Sequence, residues 1–88
     1  MKFSIFFLPA CQEEQSYKEE YDELIEQCVV ADELGFDTAY VAEHHFSRVG
    51  MCPDPLIVAL AIAQKTKKIR VGTGINIVPF HNPIRLAE

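Results

Sequence analysis

The sequence predicts an α/β fold: the first three βα units of an eight-unit, TIM-type (β/α)8 barrel, built on parallel strands. Three observations carry this expectation. Short apolar runs alternate with helix-periodic runs in the order β-α-β-α-β-α. The connections between them are short, which favours right-handed crossovers between parallel neighbours. Only three strands fall within the 88 residues, and the last helix is cut off at its first turn. An open three-stranded sheet leaves two edges unpaired and one face poorly covered. The economical completion is a barrel of ~250 residues, of which 1–88 would be the N-terminal segment.

The first strand is placed at about 2–8. "KFSIFFL" is nearly all apolar and is stopped by Pro9, the pattern of a strand buried on both faces. A polar loop follows, through Gln12 to Gln15. The first helix is placed at about 17–34. Ser16 and Glu19 have capping-box spacing. Tyr17, Tyr21, Leu24, Ile25, Cys28 and Leu34 recur at helical spacing, and Gly35 supplies the C-terminal stop. The second strand, at about 38–42, is "TAYVA". Asp54 then reads as an N-cap with Pro55 at the first helical position, opening a helix at about 55–66. "PLIVALAIAQKT" is apolar almost all round, so it needs cover on two sides. A third strand is placed at about 69–78, "IRVGTGINIV". Asn82 and Pro83 open a third helix, placed at about 83–88 onward.

Composition narrows the function classes. The apolar fraction of 49% is high for so short a chain, which points to apolar surface meant for a partner or for further sequence. The net charge is −5, and the basic residues make a short run, Lys65 to Arg70, not a broad face, so nucleic acid is not an expected partner. The acidic residues between Glu13 and Glu33 read as the wet side of the first helix. Cys11, Cys28 and Cys52 are odd in number and contain no CxxC pair, which argues against a disulfide framework or zinc site and for free thiols in a reducing cytoplasm. "MKFSIFFLPA" is too short an apolar run for a signal peptide and leads straight into acidic sequence. No stretch is long enough to span a membrane.

The chemistry concentrates in "VAEHHFSRVG". In a barrel, functional side chains stand at the C-terminal ends of the strands. Glu43, His44 and His45 lie there after the second strand, Pro79 to Asn82 after the third, and Pro9 to Gln12 after the first. Successive side chains at a strand end point to opposite sides, so one histidine can face the mouth while the other packs outward. A histidine facing a polar cleft is suited to proton transfer; one hydrogen-bonded to backbone at a strand end would be structural instead. No second ligand pair at helical spacing accompanies the triplet, so no metal is expected. Gly72 and Gly74, in "GTG", lack the third glycine and helix start of a dinucleotide fingerprint. Glycine within a strand marks either a close ligand or a packing contact.

"GFDTAYVAEHHF", "DPLIVALAIAQKTKKIRVGTG" and "NPIRLAE" together resemble the bacterial luciferase-like, flavin-dependent monooxygenases, and the resemblance covers essentially all 88 residues. It implies the eight-unit barrel and a site for reduced FMN at its C-terminal face. It implies that His44 takes part in proton transfer, that His45 influences activity, and that Glu43 lies near the flavin. It implies a cis peptide bond between Gly74 and Ile75, set against the flavin ring. It also implies a small organic substrate oxidised with oxygen, a flavin reductase as supplier, and a homo-oligomer formed through the helix at 55–66. The family's phosphate-binding residues lie in later strands, so the segment alone is expected to be inactive. Two rival readings remain at this point: a deazaflavin-dependent oxidoreductase on the same barrel, and a short, non-catalytic, self-associating module.

Overall fold

The computed structural model describes residues 1–11 and 14–88; Gln12, expected at the mouth, and Glu13 lie outside the described residues. Three strands, β1 (Ser4–Phe7), β2 (Thr38–Val41) and β3 (Arg70–Thr73), form one sheet in the order β1-β2-β3. Both pairings are parallel, with Phe6, Tyr40 and Gly72 side by side in one row and Phe7, Val41 and Thr73 in the next. Helices α1 (Tyr17–Glu33), α2 (Pro55–Lys65) and α3 (Pro83–Ala87) follow the strands in turn. The α/β class, the parallel sense and the three successive βα units are those expected.

Local chemistry sets the helix ends. The Ser16 hydroxyl accepts from the Glu19 N–H while the Glu19 carboxylate accepts from the Ser16 N–H, a complete capping box. At the other end Gly35 takes φ 83°, and the Phe36 and Gly35 N–H groups donate to Ala31 and Asp32 carbonyls, closing a Schellman turn. Asp54 caps α2 through the Leu56 N–H, and Asn82 caps α3 through Ile84 and Arg85. The buried stripe of α1 is narrower than its periodicity indicated. Leu24, Cys28 and Ala31 are buried, whereas Tyr17 and Leu34, at the two ends, are exposed because no other element reaches them.

The core lies between the sheet and α1 and α2. Phe7, Ala39 and Val41 from the sheet meet Leu24 and Cys28 from α1 and Val58 and Ile62 from α2. Ile62, Val41, Cys28 and Cys52 are fully buried; for a side chain of the size of valine or isoleucine that is worth ~1.5–3 kcal/mol each. Asp32 fastens the α2–β3 turn to α1, its carboxylate accepting the Lys67, Lys68 and Ile69 N–H groups. Asp37 pairs with Arg70 and Lys2 at the N-terminal rim of the sheet.

Two expectations about strands are corrected. The β1 run is not buried on both faces. Phe7 is buried against the helices, but Phe3, Phe6 and Leu8 are exposed, since every helix of the chain that packs on the sheet lies on one side. Tyr40 joins Phe6 on this open face. β3 ends at Thr73 instead of running to 78. Beyond it the Gly74 N–H still reaches the Val41 carbonyl and the Glu43 N–H reaches the Ile75 carbonyl. The Gly74–Ile75 bond is cis, and the Ile77 N–H then goes to the Glu43 side chain, not to a ladder carbonyl. Val78–Phe80 coils into a 3-10 turn.

Candidate active site

All three strand-to-helix connections emerge at one end of the sheet, as parallel strands require, and they are stitched together there. Ala10 bridges to Val49 and His44 to Cys52. The Cys11 N–H donates to the Arg48 carbonyl, and the Tyr21 hydroxyl donates to the Met51 carbonyl. The long connection from 42 to 54 is therefore held against the connection that follows β1 and against α1, and is not a free loop.

The triplet Glu43-His44-His45 splits across the end of β2. His44 is exposed, with its main chain fixed by paired hydrogen bonds to Cys52. Its ring stands directly over Gly50, where an added Cβ would come within 2.9 Å of His44 Cγ and 2.7 Å of Leu8 Cδ1. Gly50 has φ 75°, so glycine is needed there both for the turn and for the approach of the ring. Leu8 and His44 thus lie together at the rim of the open sheet face. Phe6 and Tyr40 floor that face; a Cβ on Gly72 would sit 3.1 Å from the Tyr40 ring and one on Gly74 3.1 Å from the Phe6 ring, so Gly72 in β3 and Gly74 just beyond it let both rings lie close to the backbone.

His45 turns the other way. Its Nε2 lies 2.7 Å from Glu43 Oε1, and its ring packs edge-on against Phe80 at 4.9 Å and obliquely against Phe46 at 5.6 Å. Phe46 itself is exposed and sits at φ 58°. Glu43 has no exposed side-chain surface. Its second oxygen accepts from His81 Nε2 at 2.7 Å and from the Ile77 N–H at 2.6 Å. Burial by itself pushes the Glu43 carboxyl up, but the hydrogen bonds from His81, His45 and Ile77 outweigh it and hold the group at about 2. Glu43 is thus a carboxylate at neutral pH.

The structure brings Glu43, His45 and the segment from Gly74 to Ile77 together and leaves His44 apart at the rim. It adds His81, which the sequence shows only as one more loop residue ahead of Asn82 and Pro83. Its signal was positional: a histidine at the C-terminal end of β3, the same end of the sheet as the triplet. No spacing rule connects residue 43 to residue 81. Cys11, Cys28 and Cys52 are buried, and burial pushes the Cys28 and Cys52 thiols up to about 11, which disfavours the thiolate of either at neutral pH. Among the described residues no cluster has the arrangement of a metal site, and no helix is long and apolar enough to cross a membrane.

The family model for luciferase-like monooxygenases matches residues 1–88, the whole chain. This chain belongs to the luciferase-like monooxygenase family. It is 39% identical over 88 residues to the oxygenase component of the flavin-dependent trigonelline monooxygenase of Acinetobacter baylyi, covering 99% of this chain and 24% of that protein. A crystal structure of a monooxygenase from Streptomyces bottropensis superposes with a TM-score of 0.92 at 35% identity, over 99% of this chain and 27% of the other. The oxygenating constituent of 3,6-diketocamphane monooxygenase from Pseudomonas putida, solved in complex with FMN, superposes with a TM-score of 0.90 at 28% identity, over 99% and 24%. The chain therefore spans about a quarter of the length of the luciferase-like relatives it matches.

The open face presents an apolar surface. Phe6, Leu8, Tyr40 and Ile75 are exposed apolar side chains around the ends of the strands, with an imidazole at the rim. Asn76 Oδ1, beside them in sequence, is a buried acceptor that no donor among the described residues satisfies.

Proposed function

We propose that the protein carrying this chain is a flavin-dependent monooxygenase, using reduced FMN and oxygen to oxidise a small organic substrate. The observation that carries this is the division of labour in the triplet. One imidazole, His44, is exposed at the rim of an apolar floor, while its neighbour is committed to a buried carboxylate. Flavin, when bound, supplies the electrons that activate oxygen. Phe6, Tyr40 and the Gly74–Ile75 segment form the surface on which its ring would rest. With the ring seated, the apolar floor would exclude water from that surface. His44 holds or delivers a proton at the rim, a role worth ~100- to 10,000-fold in rate.

The reduced flavin would come from a separate reductase, a reading supported by the trigonelline relative being named the oxygenase component of its system. Self-association through α2 belongs to the same reading. Leu56, Ile57 and Leu60 are exposed along that helix, and an apolar recess lined by Tyr21, Ile25, Ile57, Val58 and Ala61 adjoins them. A symmetric dimer would bury this patch against its own copy.

The test is to express the complete reading frame, supply reduced FMN, and compare it with His44→Ala. Loss of turnover with retained flavin binding is the expected result. Unchanged turnover would remove His44 from the mechanism, and absence of any flavin binding would remove the cofactor.

A further inference from the structure

Three donors converge on one buried carboxylate, and this arrangement goes beyond the general reading of the fold. An ionised carboxylate only accepts hydrogen bonds. Glu43 Oε1 takes His45 Nε2, while Oε2 takes both His81 Nε2 and the Ile77 N–H, all within 2.6–2.7 Å. These are the short contacts of charge-assisted bonds. Each imidazole must therefore carry its proton on Nε2. Glu43 has no exposed surface, and His45 and His81 keep only 19% and 18% of their side chains accessible. The carboxylate is not placed to touch a ligand on the open face or to take its proton. It joins the end of β2 to the segment that follows β3.

We propose that Glu43, His45 and His81 form a positioning clamp, in which one carboxylate fixes both imidazoles as Nε2–H forms and pins residues 74–77 along the open face whose rim carries His44. His81 thereby becomes a positioning residue for the site, acting through Glu43. Residues 74–77 border the open face on one side and His44 borders it on another, so the clamp sets the distance between floor and proton carrier. Without the anion the two Nε2–H groups and the Ile77 N–H lose their common acceptor, and buried donors left unpaired move until they find water. A shift of the order of 1 Å at a reacting centre is enough to cost about 100-fold in rate.

The clamp stands on geometry alone; its effect on turnover rests on the flavin reading. The experiment therefore has two arms, both on the protein from its complete reading frame. In the first, histidine-selective nitrogen labelling and long-range ring NMR read the tautomers. His45 and His81 are expected to carry an Nε2-bound proton, assigned by the loss of one signal set in His81→Ala and the other in His45→Ala. A bare Nε2 with the proton on Nδ1 in either ring overturns the clamp, whatever the enzyme does. In the second arm, Glu43→Gln and His81→Ala are expected to lower flavin turnover about 10- to 100-fold. His81→Gln, whose amide nitrogen takes nearly the place of Nε2, is expected to recover part of what His81→Ala loses. Equal turnover of the two His81 variants overturns the positioning role. A parent protein without flavin turnover defeats the proposed function while the ring NMR still decides the clamp.

Discussion

Replacing Gly50 by alanine isolates the contact that seats His44. Gly50 has φ 75°, where an L side chain costs ~1–2 kcal/mol. The new Cβ would also stand 2.9 Å from His44 Cγ, whereas carbon–carbon contacts settle near 3.5–4.0 Å, so the ring must retreat by roughly 0.6 Å or more. Leu8 Cδ1, at 2.7 Å, is crowded as well. Overpacking of this kind adds ~1–3 kcal/mol. The expected loss of stability is about 2–5 kcal/mol in all. Gly35→Ala is the matched control. It has φ 83° and nothing within 4 Å of the added Cβ, so it carries only the backbone term. Urea denaturation of both variants at equal m-value separates the two terms. Turnover with reduced FMN reports the displaced ring, with a loss of about tenfold expected in Gly50→Ala and none in Gly35→Ala. Equal destabilisation of the two, together with equal turnover, would refute the seating of His44 over Gly50.

Ile62→Ala removes a fully buried side chain that α2 sets between α1 and the sheet, and is expected to cost ~2–5 kcal/mol in denaturation midpoint measurements. Acid should destabilise the fold in a defined window. Hydrogen bonds from Arg70 and Thr38 lower Asp37 from its ordinary 3.8 to about 2. Glu43, against its burial, is lowered from 4.5 to about 2. The unfolded chain takes up these protons first as pH falls, so stability is full above about pH 5 and is lost progressively toward pH 2. Added salt should weaken the part due to Asp37, whose partners Lys2 and Arg70 are exposed, more than the buried Glu43 part, and Asp37→Asn should flatten the curve read by thermal melts across this range. Leu60→Glu, on the exposed face of α2, should shift sedimentation toward a smaller species while leaving stability within about 0.5 kcal/mol; an unchanged sedimentation coefficient would exclude a dimer through α2.

Much of the fold was legible because its signals are local. Ser16 and Glu19, Asp54 and Pro55, and Asn82 and Pro83 each mark a helix start through bonds made within a few residues, and all three caps are formed. Gly35 stops α1 by a backbone conformation that its neighbours do not control. Burial was less legible. "KFSIFFL" carries no mark distinguishing the covered Phe7 from the open Phe6, because cover depends on which side the helices pack. The end of β3 was missed for a related reason. "GTGINIV" has strand composition throughout, but the Ile77 N–H is taken by a carboxylate 34 residues away in sequence.

The sequence by itself determined the alternation of elements, their caps and the placing of the histidine pair at a strand end, since each follows from spacing along the chain. Tertiary structure alone decided the roles within that pair. Strand alternation sends the two side chains to opposite sides without saying which side is occupied. Only the arrival of Ile77 and His81 beside Glu43 commits one imidazole to a buried anion and leaves the other at the rim. That choice rests on contacts between segments far apart in the chain, and hydrogen bonds of this kind exist only once the sheet has brought its strand ends together.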